Sequence, residues 1–361
     1  MISPKNFIKY LKKKNIDFFT GVPDSVLKNF TENLPKKKNY IMANEGLAVS
    51  LGIGYFLKTK KIPLVYFQNS GLGNAINPLI SIAHKNVYSI PILLLIGWRG
   101  APNTKDEPQH IQQGKSTINF LKNLGIKSII LNSEKSFLNL NKLLKVAKKQ
   151  STSVAILVKK NTLKKVKKVV IKNKYKLERS KVIEFILDNI TKKTKIFSST
   201  GYISRELDRI IHNKKNKIKS FYNVGGMGHT SSIALGYSLN SKEKVLCLDG
   251  DGALMMHMGS LANIGKFSKK NYLHILLNNG THESVGGQPT NSNLIKFKDL
   301  SKSVKYRSYC SIKNEKELKN KFSKFIKKDG PLFCEIFIKN KSIKNLGRPK
   351  NFDKLKKYFI K

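Results

Sequence analysis

Two clusters of polar residues follow apolar stretches in the second half of the chain. The apolar stretch 244–248 is followed by Asp-Gly-Asp-Gly at 249–252, and the stretch 273–277 is followed by Asn-Asn-Gly at 278–280. If both stretches are parallel strands, the clusters meet at the sheet edge where open α/β sheets bind ligands. Carboxylate and amide oxygens there suit a hard cation such as Mg²⁺, which keeps phosphate oxygens among its ligands. These residues therefore predict a site for a metal ion and a diphosphate group.

The glycines of the first cluster have two interpretations. A Gly-Asp-Gly motif alone is more often a tight turn between a strand and a helix, with the aspartate capping the helix. In a binding site, Gly250 and Gly252 instead let the backbone approach a diphosphate, and the helix that starts after Gly252 offers N–H donors to an anion. The two asparagines lie 27 and 28 residues after Asp251. This spacing favours the binding site, and Asn278 and Asn279 both remain candidates for the amide ligand.

Strands and helices must alternate to position these clusters, and the apolar pattern predicts that they do so in both halves of the chain. The predicted strands are 62–67, 92–96, 154–158, 195–198, 244–248, 273–277 and 332–338, and the predicted helices are 45–57, 75–83 and 181–190. The basic stretch 159–176 lacks helical periodicity. We therefore expect two α/β domains with parallel sheets, at 1–165 and 179–361, joined by a linker at 166–178.

The charge of the chain is extreme but evenly distributed. Lysine and arginine total 69 against 22 acidic residues, which gives a formal net charge of +47 over 361 residues. Basic residues occur along the whole sequence, and basic runs such as 164–168 lack the interleaved aromatic residues that stack on bases. We therefore expect no specific nucleic-acid partner, although the positive field should attract small anions.

The chain also lacks the sequence features of a secreted or membrane protein. The longest apolar run, 90–98, contains Pro91 and Gly97 and is far shorter than the ~20 residues of a membrane span. The first residues do not have the pattern of a signal peptide. The three cysteines, which are Cys247, Cys310 and Cys334, form no CxxC motif and leave one over in any pairing. We expect a cytoplasmic protein with reduced thiols and no membrane partner.

The motifs resemble those of a known family. A Gly-Asp-Gly motif followed by Asn 27–28 residues later is the signature of thiamine diphosphate enzymes. Ten segments, in matching order along nearly the full chain, narrow the resemblance to the phosphonopyruvate decarboxylase family. These segments are 20–25, 44–46, 68–79, 93–100, 105–110, 199–207, 225–236, 250–259, 278–290 and 346–349.

This resemblance implies a complete enzymatic hypothesis. It implies a pyrimidine-binding domain followed by a diphosphate-binding domain, without the middle domain of larger relatives. The expected cofactors are thiamine diphosphate and Mg²⁺, and the expected substrate is a small anionic 2-oxoacid. The expected reaction converts 3-phosphonopyruvate to 2-phosphonoacetaldehyde and CO₂, as in the synthesis of 2-aminoethylphosphonate. Active sites between subunits imply a homodimer or a dimer of dimers.

The resemblance also assigns catalytic roles. Glu45 is expected to hydrogen-bond N1′ of the aminopyrimidine, where a proton favours the imino tautomer that deprotonates the thiazolium C2. A carboxyl buried among apolar residues keeps its proton more readily, which suits this role. Met227 is expected to hold the cofactor bent, and Asp24 and His110 are expected to face its reacting end. Considered singly, Glu45 would be a helix-terminal acid, Met227 core filler and His110 a solvated loop residue.

The ligand assignments follow from the same resemblance. Asp251 and Asn279 are the expected side-chain ligands of Mg²⁺, and the backbone carbonyl of Thr281 is the third protein ligand. Asn279 is preferred to Asn278 because the family's amide ligand lies two residues before its carbonyl ligand. The residues expected to bind the cofactor are Gly201, Gly225, Met227, Gly250, Gly252, Ala253 and Asn279.

A dianionic substrate also needs cationic partners. Arg99, Lys105 and Arg205 lie in or beside the matched segments and are unranked candidates, although a bidentate arginine is the better clamp for a phosphonate. The loop 100–114 is a candidate lid over the substrate. The chain departs from the family pattern at Asn278, where an acid is expected, and at Gly46-Leu47, where the family is richer in alanine.

Three other functions are weighed against this one. Sulfopyruvate decarboxylase carries out the related reaction on a sulfonate, and the sequence Met-Gly-His-Thr-Ser-Ser at 227–232 favours the phosphonate branch over it. Another thiamine diphosphate-dependent 2-oxoacid decarboxylase or a carboligase is a more distant alternative, and the short chain argues against carboligation. A third alternative is a basic nucleic-acid-binding protein, but that function would not explain the matched motifs.

Overall fold

The computed structural model describes residues 1–165, 173–341, 343 and 345–361. The described chain divides into two compact units. The first comprises 1–165 and Val285–Gln288, and the second comprises 173–284 and the described residues from Pro289 to Lys361. The part of the predicted linker at 166–172 lies outside the described residues, and the predicted domain limits stay a prediction.

The first unit is built on a six-stranded parallel sheet with the order β2-β1-β3-β4-β6-β5. Its strands are β1 (Phe19–Gly21), β2 (Asn39–Ile41), β3 (Leu64–Gln68), β4 (Leu93–Gly97), β5 (Lys127–Leu131) and β6 (Val154–Val158). Its helices are α1 (Pro4–Lys13), α2 (Lys28–Thr31), α3 (Glu45–Thr59), α4 (Leu72–Pro78), α5 (Pro108–Asn123) and α6 (Ser136–Gln150). A π-helical turn, Leu79–Ala83, continues α4.

The second unit contains another six-stranded parallel sheet, with the order β11-β12-β10-β9-β7-β8. Its strands are β7 (Lys195–Ser198), β8 (Ser220–Tyr222), β9 (Val245–Gly250), β10 (Tyr272–Asn278), β11 (Ser308–Ile312) and β12 (Leu332–Phe337). Its helices are α7 (Arg179–Asn189), α8 (Tyr202–Asn213), α9 (Thr230–Leu239), α10 (Asp251–Met256), α11 (Ser260–Phe267), α12 (Phe297–Ser303), α13 (Glu315–Phe325) and α14 (Phe352–Ile360).

Each sheet is covered by apolar packing on both faces. In β3, Leu64 and Tyr66 join the core on one face, and Val65 and Phe67 join the core on the other. A strand that is buried on both faces is a continuous apolar run. This is why the central strands could be predicted from the sequence.

The predicted strands are confirmed, with ends that differ by at most two residues. Five strands were not predicted: β1, β2, β5, β8 and β11. They have three or five residues. Four of them, β2, β5, β8 and β11, lie at a sheet edge, where partial exposure interrupts the apolar pattern. β1 is buried but has only three residues. The helix predicted at 75–83 lies within a helical segment that starts earlier, at Leu72, and changes from α-helix to a π-helical turn after Pro78. Proline has no N–H group for the helical hydrogen-bond ladder.

Candidate active site

The ends of three neighbouring strands form one edge of the second sheet. β9 lies between β7 and β10, so the segments after these strands are brought together. The segments are 199–201, 251–252 and 279–281, and all follow carboxyl ends of parallel strands. The two polar clusters predicted to meet at one edge therefore do so. The helix α10 begins at Asp251, two residues earlier than expected.

Asp251 is the central acid of this edge and is only 3% exposed. Its Oδ2 accepts hydrogen bonds from the hydroxyl of Thr290 and from that of Ser292, which lies 3.0 Å away. The backbone N–H of Asn279 also donates to this carboxylate. Burial nevertheless raises the pKa of Asp251 to about 6, because burial penalises the charged form more than these donors stabilise it. A bound cation would compensate that penalty.

Both ends of the Asn278 amide have hydrogen-bond partners within the unit. Its Nδ2 donates to Oε1 of Glu335 at 2.8 Å. Its Oδ1 accepts from the backbone N–H of Gly280 at 3.1 Å and lies 3.0 Å from the hydroxyl oxygen of Ser292. The acid that the family resemblance leads us to expect at 278 is thus replaced by an amide that contacts the buried acid Glu335.

The side chain of Asn279 has a different set of contacts. Its Nδ2 donates to Oε2 of Glu283 at 3.1 Å, and its Oδ1 accepts from the backbone N–H of Thr281 at 3.0 Å. Among the described residues this is the one hydrogen bond that Oδ1 is found to accept, and an amide oxygen has two lone pairs. Of the two asparagines, Asn279 is the better placed to give an oxygen to a metal.

Glycines and hydroxyls complete a cradle beside Asp251. A Cβ at Gly252 would lie 2.8 Å from Nδ1 of His282, so a larger residue there would require the buried imidazole to move. A Cβ at Gly250 would lie 3.8 Å from the Ser199 hydroxyl oxygen. The hydroxyls of Ser199 and Thr200 are buried and have no hydrogen-bond partner among the described residues. Buried hydroxyl groups that lack a hydrogen-bond partner, next to a glycine turn, are suited to bind an oxyanion such as a diphosphate.

Three residues of this cradle were not singled out from the sequence. Ser199 and Thr200 lie in the matched segment 199–207, of which Gly201, with φ 102°, was the only cofactor candidate. His282 lies in the segment 278–290. Burial lowers the pKa of His282 to about 4, so this imidazole is neutral at pH 7. Ser199 and Thr200 lie immediately after β7, and His282 lies four residues after β10. This position near strand ends was the available signal.

The loop after β8 lies against α10. A Cβ at Gly228, which has φ 84°, would lie 3.1 Å from the carbonyl oxygen of Ala253. Asn223 holds the loop through hydrogen bonds to the backbone N–H of Gly226 and to the Thr230 hydroxyl, both at 2.9 Å. Gly225 and the partly exposed Met227 lie in this loop. The structure thus places the loop that carries the predicted cofactor residues Gly225 and Met227 next to Ala253, within one unit.

Glu45 begins α3 in the first unit and is only 4% exposed. Asn74 donates to its Oε2 at 2.8 Å, and burial raises the pKa of the carboxyl group above its usual value. A Cβ at Gly71 would lie 2.1 Å from Oε1, and a Cβ at Gly46 would lie 2.8 Å from the backbone oxygen of Asn74. Gly46, one of the two departures from the family pattern, is therefore required for the close approach of Asn74. Asn74 was not predicted, although it lies in the matched segment 68–79.

Asp24 is buried against the end of β4. Its Oδ2 accepts from the backbone N–H groups of Val26 and Leu27, at 2.8 and 3.0 Å. A Cβ at Gly97 would lie 2.1 Å from that oxygen, and Oδ1 is buried with no hydrogen-bond partner among the described residues. Burial raises the pKa of Asp24 to about 6, although these backbone donors and the charge of Arg99 oppose the shift. Such a carboxyl group exchanges a proton near neutral pH.

The cationic candidates differ in what they contact. Arg99 forms a bidentate ion pair with Asp106 and donates to the Ser25 hydroxyl at 3.1 Å. Lys105 is exposed and lines a cavity of about 310 Å³ formed by 100–106, Ile111 and Lys115. Arg205 lies on α8 and donates to the backbone oxygens of Leu346 and Gly347, at 2.8 Å for Gly347.

The loop expected at 100–114 is only partly a loop. Its second half forms the start of α5, so the buried His110 lies in the first helical turn rather than at the end of a loop. The carbonyl oxygen of Gly114 accepts from Nε1 of Trp98 at 2.9 Å, and a Cβ at Gly114 would lie 1.7 Å from the oxygen of Gly100. The candidate lid is thus reduced to 100–107.

The comparisons with known proteins agree with this geometry. Residues 5–121 match the thiamine pyrophosphate enzyme, N-terminal TPP binding domain, and residues 199–336 match the C-terminal TPP binding domain. The chain is 27% identical to phosphonopyruvate decarboxylase from Streptomyces viridochromogenes, over 97% of this chain and 92% of that protein. It is 27% identical to sulfopyruvate decarboxylase from Methanosarcina acetivorans, over 87% of this chain and 84% of that protein. It is 31% identical to the beta subunit of sulfopyruvate decarboxylase from Methanothermobacter thermautotrophicus, over 45% of this chain and 83% of that subunit.

These matches define the class of the protein. The chain belongs to the thiamine pyrophosphate (thiamine diphosphate) enzyme family. Within that family it is a thiamine diphosphate-dependent decarboxylase, a carboxy-lyase related to the phosphonopyruvate and sulfopyruvate decarboxylases. Among the described residues, no helix has the length and apolar character of a membrane span.

Proposed function

We propose that this chain decarboxylates 3-phosphonopyruvate to 2-phosphonoacetaldehyde and CO₂, as a step in making phosphonates such as 2-aminoethylphosphonate. The observation that carries the proposal is the similarity to a phosphonopyruvate decarboxylase over 97% of this chain. The strongly positive charge of the chain is consistent with an anionic substrate.

The second unit supplies the residues for the metal and diphosphate. Asp251, Asn279 and the backbone carbonyl of Thr281 would hold Mg²⁺, since all three offer the oxygen donors that this cation prefers. The Ser199 and Thr200 hydroxyls would donate to the diphosphate, and the glycines at 250 and 252 would leave room for it. When bound, thiamine diphosphate supplies the thiazolium ring that accepts the electron pair released as CO₂ leaves.

The first unit supplies the acids that hold and move protons. Burial favours the protonated form of Glu45, so this carboxyl group would keep a proton for N1′ of the pyrimidine. Asp24, with a pKa of about 6, would give a proton to the carbon that loses CO₂, and His110 is a second candidate for that transfer.

The phosphonate needs a cation that is accessible. The guanidinium of Arg99 is paired with Asp106, so Arg99 would orient the segment 99–106 unless that pair opens. Lys105 is exposed beside the cavity and is the better candidate for direct contact. The guanidinium of Arg205 donates hydrogen bonds to the backbone oxygens of Leu346 and Gly347, which favours a structural role for this residue.

We propose a homodimer or a dimer of dimers as the functional form. A single chain carries both domains that bind the cofactor in this family, so one chain type suffices to form an active enzyme. Light scattering on the purified protein in the presence of thiamine diphosphate and Mg²⁺ would test this, and a stable monomer with full activity would contradict it.

Sulfopyruvate is the second candidate substrate. It is favoured by the match to a sulfopyruvate decarboxylase over 87% of this chain, at the same 27% identity. Both reactions would use the same acids and the same metal site, because the two substrates differ only in the terminal anion.

A direct assay distinguishes the two substrates. Purified protein with thiamine diphosphate and Mg²⁺ is incubated with phosphonopyruvate, sulfopyruvate or pyruvate at equal concentration, and the aldehyde product is measured. We expect kcat/KM to be highest for phosphonopyruvate. A preference for sulfopyruvate would keep the mechanism and change the substrate. No turnover of any of the three by the cofactor-loaded protein would reject the proposal.

A further inference from the structure

We propose that Glu283, held in place by Arg179, is a positioning residue that orients the Asn279 amide so that its oxygen faces the metal. The inference rests on the metal site proposed above. Oε2 of Glu283 accepts a hydrogen bond from Nδ2 of Asn279 at 3.1 Å. The same oxygen accepts from a terminal nitrogen of Arg179 at 3.0 Å.

An asparagine ligand needs such a partner because its amide has two different ends. Oδ1 can bind Mg²⁺, whereas the NH₂ group cannot, and the two ends have nearly the same shape. A carboxylate only accepts hydrogen bonds, so Glu283 is compatible with only one orientation of the amide. Glu283 thereby excludes the orientation that would turn the NH₂ group of Asn279 toward the cation.

Arg179 fixes the position of Glu283. Its second terminal nitrogen donates to Oε1 of Glu206 at 3.0 Å, and its guanidinium lies 5.3 Å from the ring centre of Tyr202. The side chains of Arg179 and Glu206 are only 3% and 1% exposed, and that of Glu283 is 15% exposed. A buried ion pair contributes little net stability on average. Fixing the geometry of a ligand is a purpose that such a costly arrangement can serve.

The backbone beside Asn279 is held independently of Glu283. The side chain of Asn173 donates to the Asn279 carbonyl oxygen at 2.9 Å, and the Thr281 hydroxyl donates to Asn340 at 2.9 Å. Replacing Glu283 should therefore change the orientation of one amide and leave the segment 279–281 in place.

The neighbouring asparagine provides a matched control. Asn278 donates to Glu335 just as Asn279 donates to Glu283, at 2.8 Å compared with 3.1 Å. Glu283→Gln and Glu335→Gln therefore make the same chemical change at adjacent asparagines. Only the first of these changes affects the amide assigned to the metal.

The experiment measures Mg²⁺ affinity without substrate. Thiamine diphosphate binding to the full-length protein is followed by calorimetry while Mg²⁺ is varied. We expect Glu283→Gln to raise the Mg²⁺ concentration for half-maximal binding by about 10-fold or more, the usual effect of losing such a partner. We expect Glu335→Gln to change it by less than about 2-fold. Circular dichroism and thermal melting of each variant would verify that the fold is retained.

A rescue variant separates orientation from general damage. Aspartate at 279 presents an oxygen in either orientation, and glutamine at 283 donates to it without charge repulsion. The double variant Asn279→Asp with Glu283→Gln should therefore bind Mg²⁺ more tightly than Glu283→Gln alone. Absence of rescue would overturn the orientation mechanism.

The remaining outcomes are distinct. Unchanged Mg²⁺ affinity in Glu283→Gln, together with lost affinity in Asp251→Ala, would reject the positioning role and keep the metal site. A large effect of Glu335→Gln with none of Glu283→Gln would make Asn278 the ligand and overturn the proposal. Because no substrate is used, none of these results depends on which oxoacid the enzyme decarboxylates.

Discussion

The two units share one strand order but present different chemistry at the same edge. Numbered 1 to 6 along the chain within each unit, the strands follow the order 2-1-3-4-6-5 in both sheets. The first unit places Glu45 beyond its second strand. The second unit places Asp251 after its third strand and Asn279 after its fourth. Each unit therefore has an equivalent sheet edge, at the carboxyl ends of its strands. The residues that follow the strands decide what each edge can bind.

The surroundings of the two acids explain this division. Burial raises the pKa of both, with Glu45 only 4% and Asp251 only 3% exposed. Among the described residues, Glu45 has one side-chain donor, Asn74, whereas Asp251 is surrounded by hydroxyl and backbone donors that stabilise its ionised form. The first environment suits an acid that keeps a proton, and the second suits an acid that awaits a cation.

The largest effect is expected from removing the acid of the second unit. Asp251→Ala should abolish Mg²⁺-dependent binding of thiamine diphosphate, because the only charged ligand proposed for the metal is lost. Equilibrium dialysis of the cofactor with and without Mg²⁺ measures this. Asp299→Ala, which removes an exposed acid of α12, is the control and should bind normally. Normal retention of the cofactor by Asp251→Ala would show that the metal lies elsewhere.

The acid of the first unit should affect the reaction rather than binding. Glu45→Gln keeps the shape of the side chain but cannot supply a carboxyl proton, so kcat should fall by roughly 10²–10⁴-fold. Cofactor affinity should change by less than about 10-fold. Steady-state decarboxylation and calorimetry measure the two quantities, with Glu134→Gln as an exposed control. Equal activity of Glu45→Gln and the unaltered protein would remove this residue from the mechanism.

The parts of the fold that were predictable are those with strong local patterns. Strands such as β4 and β6 are buried along their whole length, so an uninterrupted run of apolar residues marks each of them. β2 is partly exposed and has three residues, which is too short for a periodic pattern. The change from α-helix to π-helix after Pro78 was not predicted, because apolar residues continue across it in sequence.

The candidate site was predictable where its residues follow strands, and not where it depends on distant contacts. Asp251 and Asn279 are recognisable because each follows an apolar run. The pairing of Arg179 with Glu283 joins residues 104 positions apart and leaves no local pattern. Only the folded unit shows that Glu283, rather than Glu335, contacts Asn279.

A third prediction concerns the buried acid Asp24 of the first unit. Its pKa is about 6 in the folded chain against an ordinary value of 3.8, so the folded state binds the proton more tightly than the unfolded state. Ionisation of Asp24 therefore lowers the free energy of unfolding as pH rises from about 4 to about 6. The loss is at most roughly 3 kcal/mol. Arg99 is the charged group that faces Asp24 and limits this cost.

Asp24→Asn should remove that cost while keeping acceptors for the Val26 and Leu27 N–H groups. The variant should be more stable than the unaltered protein at pH 8 and about equally stable at pH 4. Urea unfolding of the cofactor-free protein at the two pH values measures the difference. A stability difference that does not depend on pH would mean that Asp24 is ionised throughout.

The smallest effect is expected at the cavity edge of the first unit, where Lys105 is exposed. Because water and salt screen exposed charges, Lys105→Met should raise KM for the oxoacid by only about 2- to 5-fold, with kcat nearly unchanged. Lys85→Met removes another exposed charge from the same unit and should leave KM unaltered. Steady-state kinetics at low and high salt would measure both, and the difference between the variants should shrink as salt rises. Equal increases in KM for the two variants would mean that the overall positive field attracts the substrate and that Lys105 makes no specific contact. In that case only the second unit would recognise an anion specifically, at the sheet edge where Asp251 and Asn279 are proposed to hold the metal and the diphosphate.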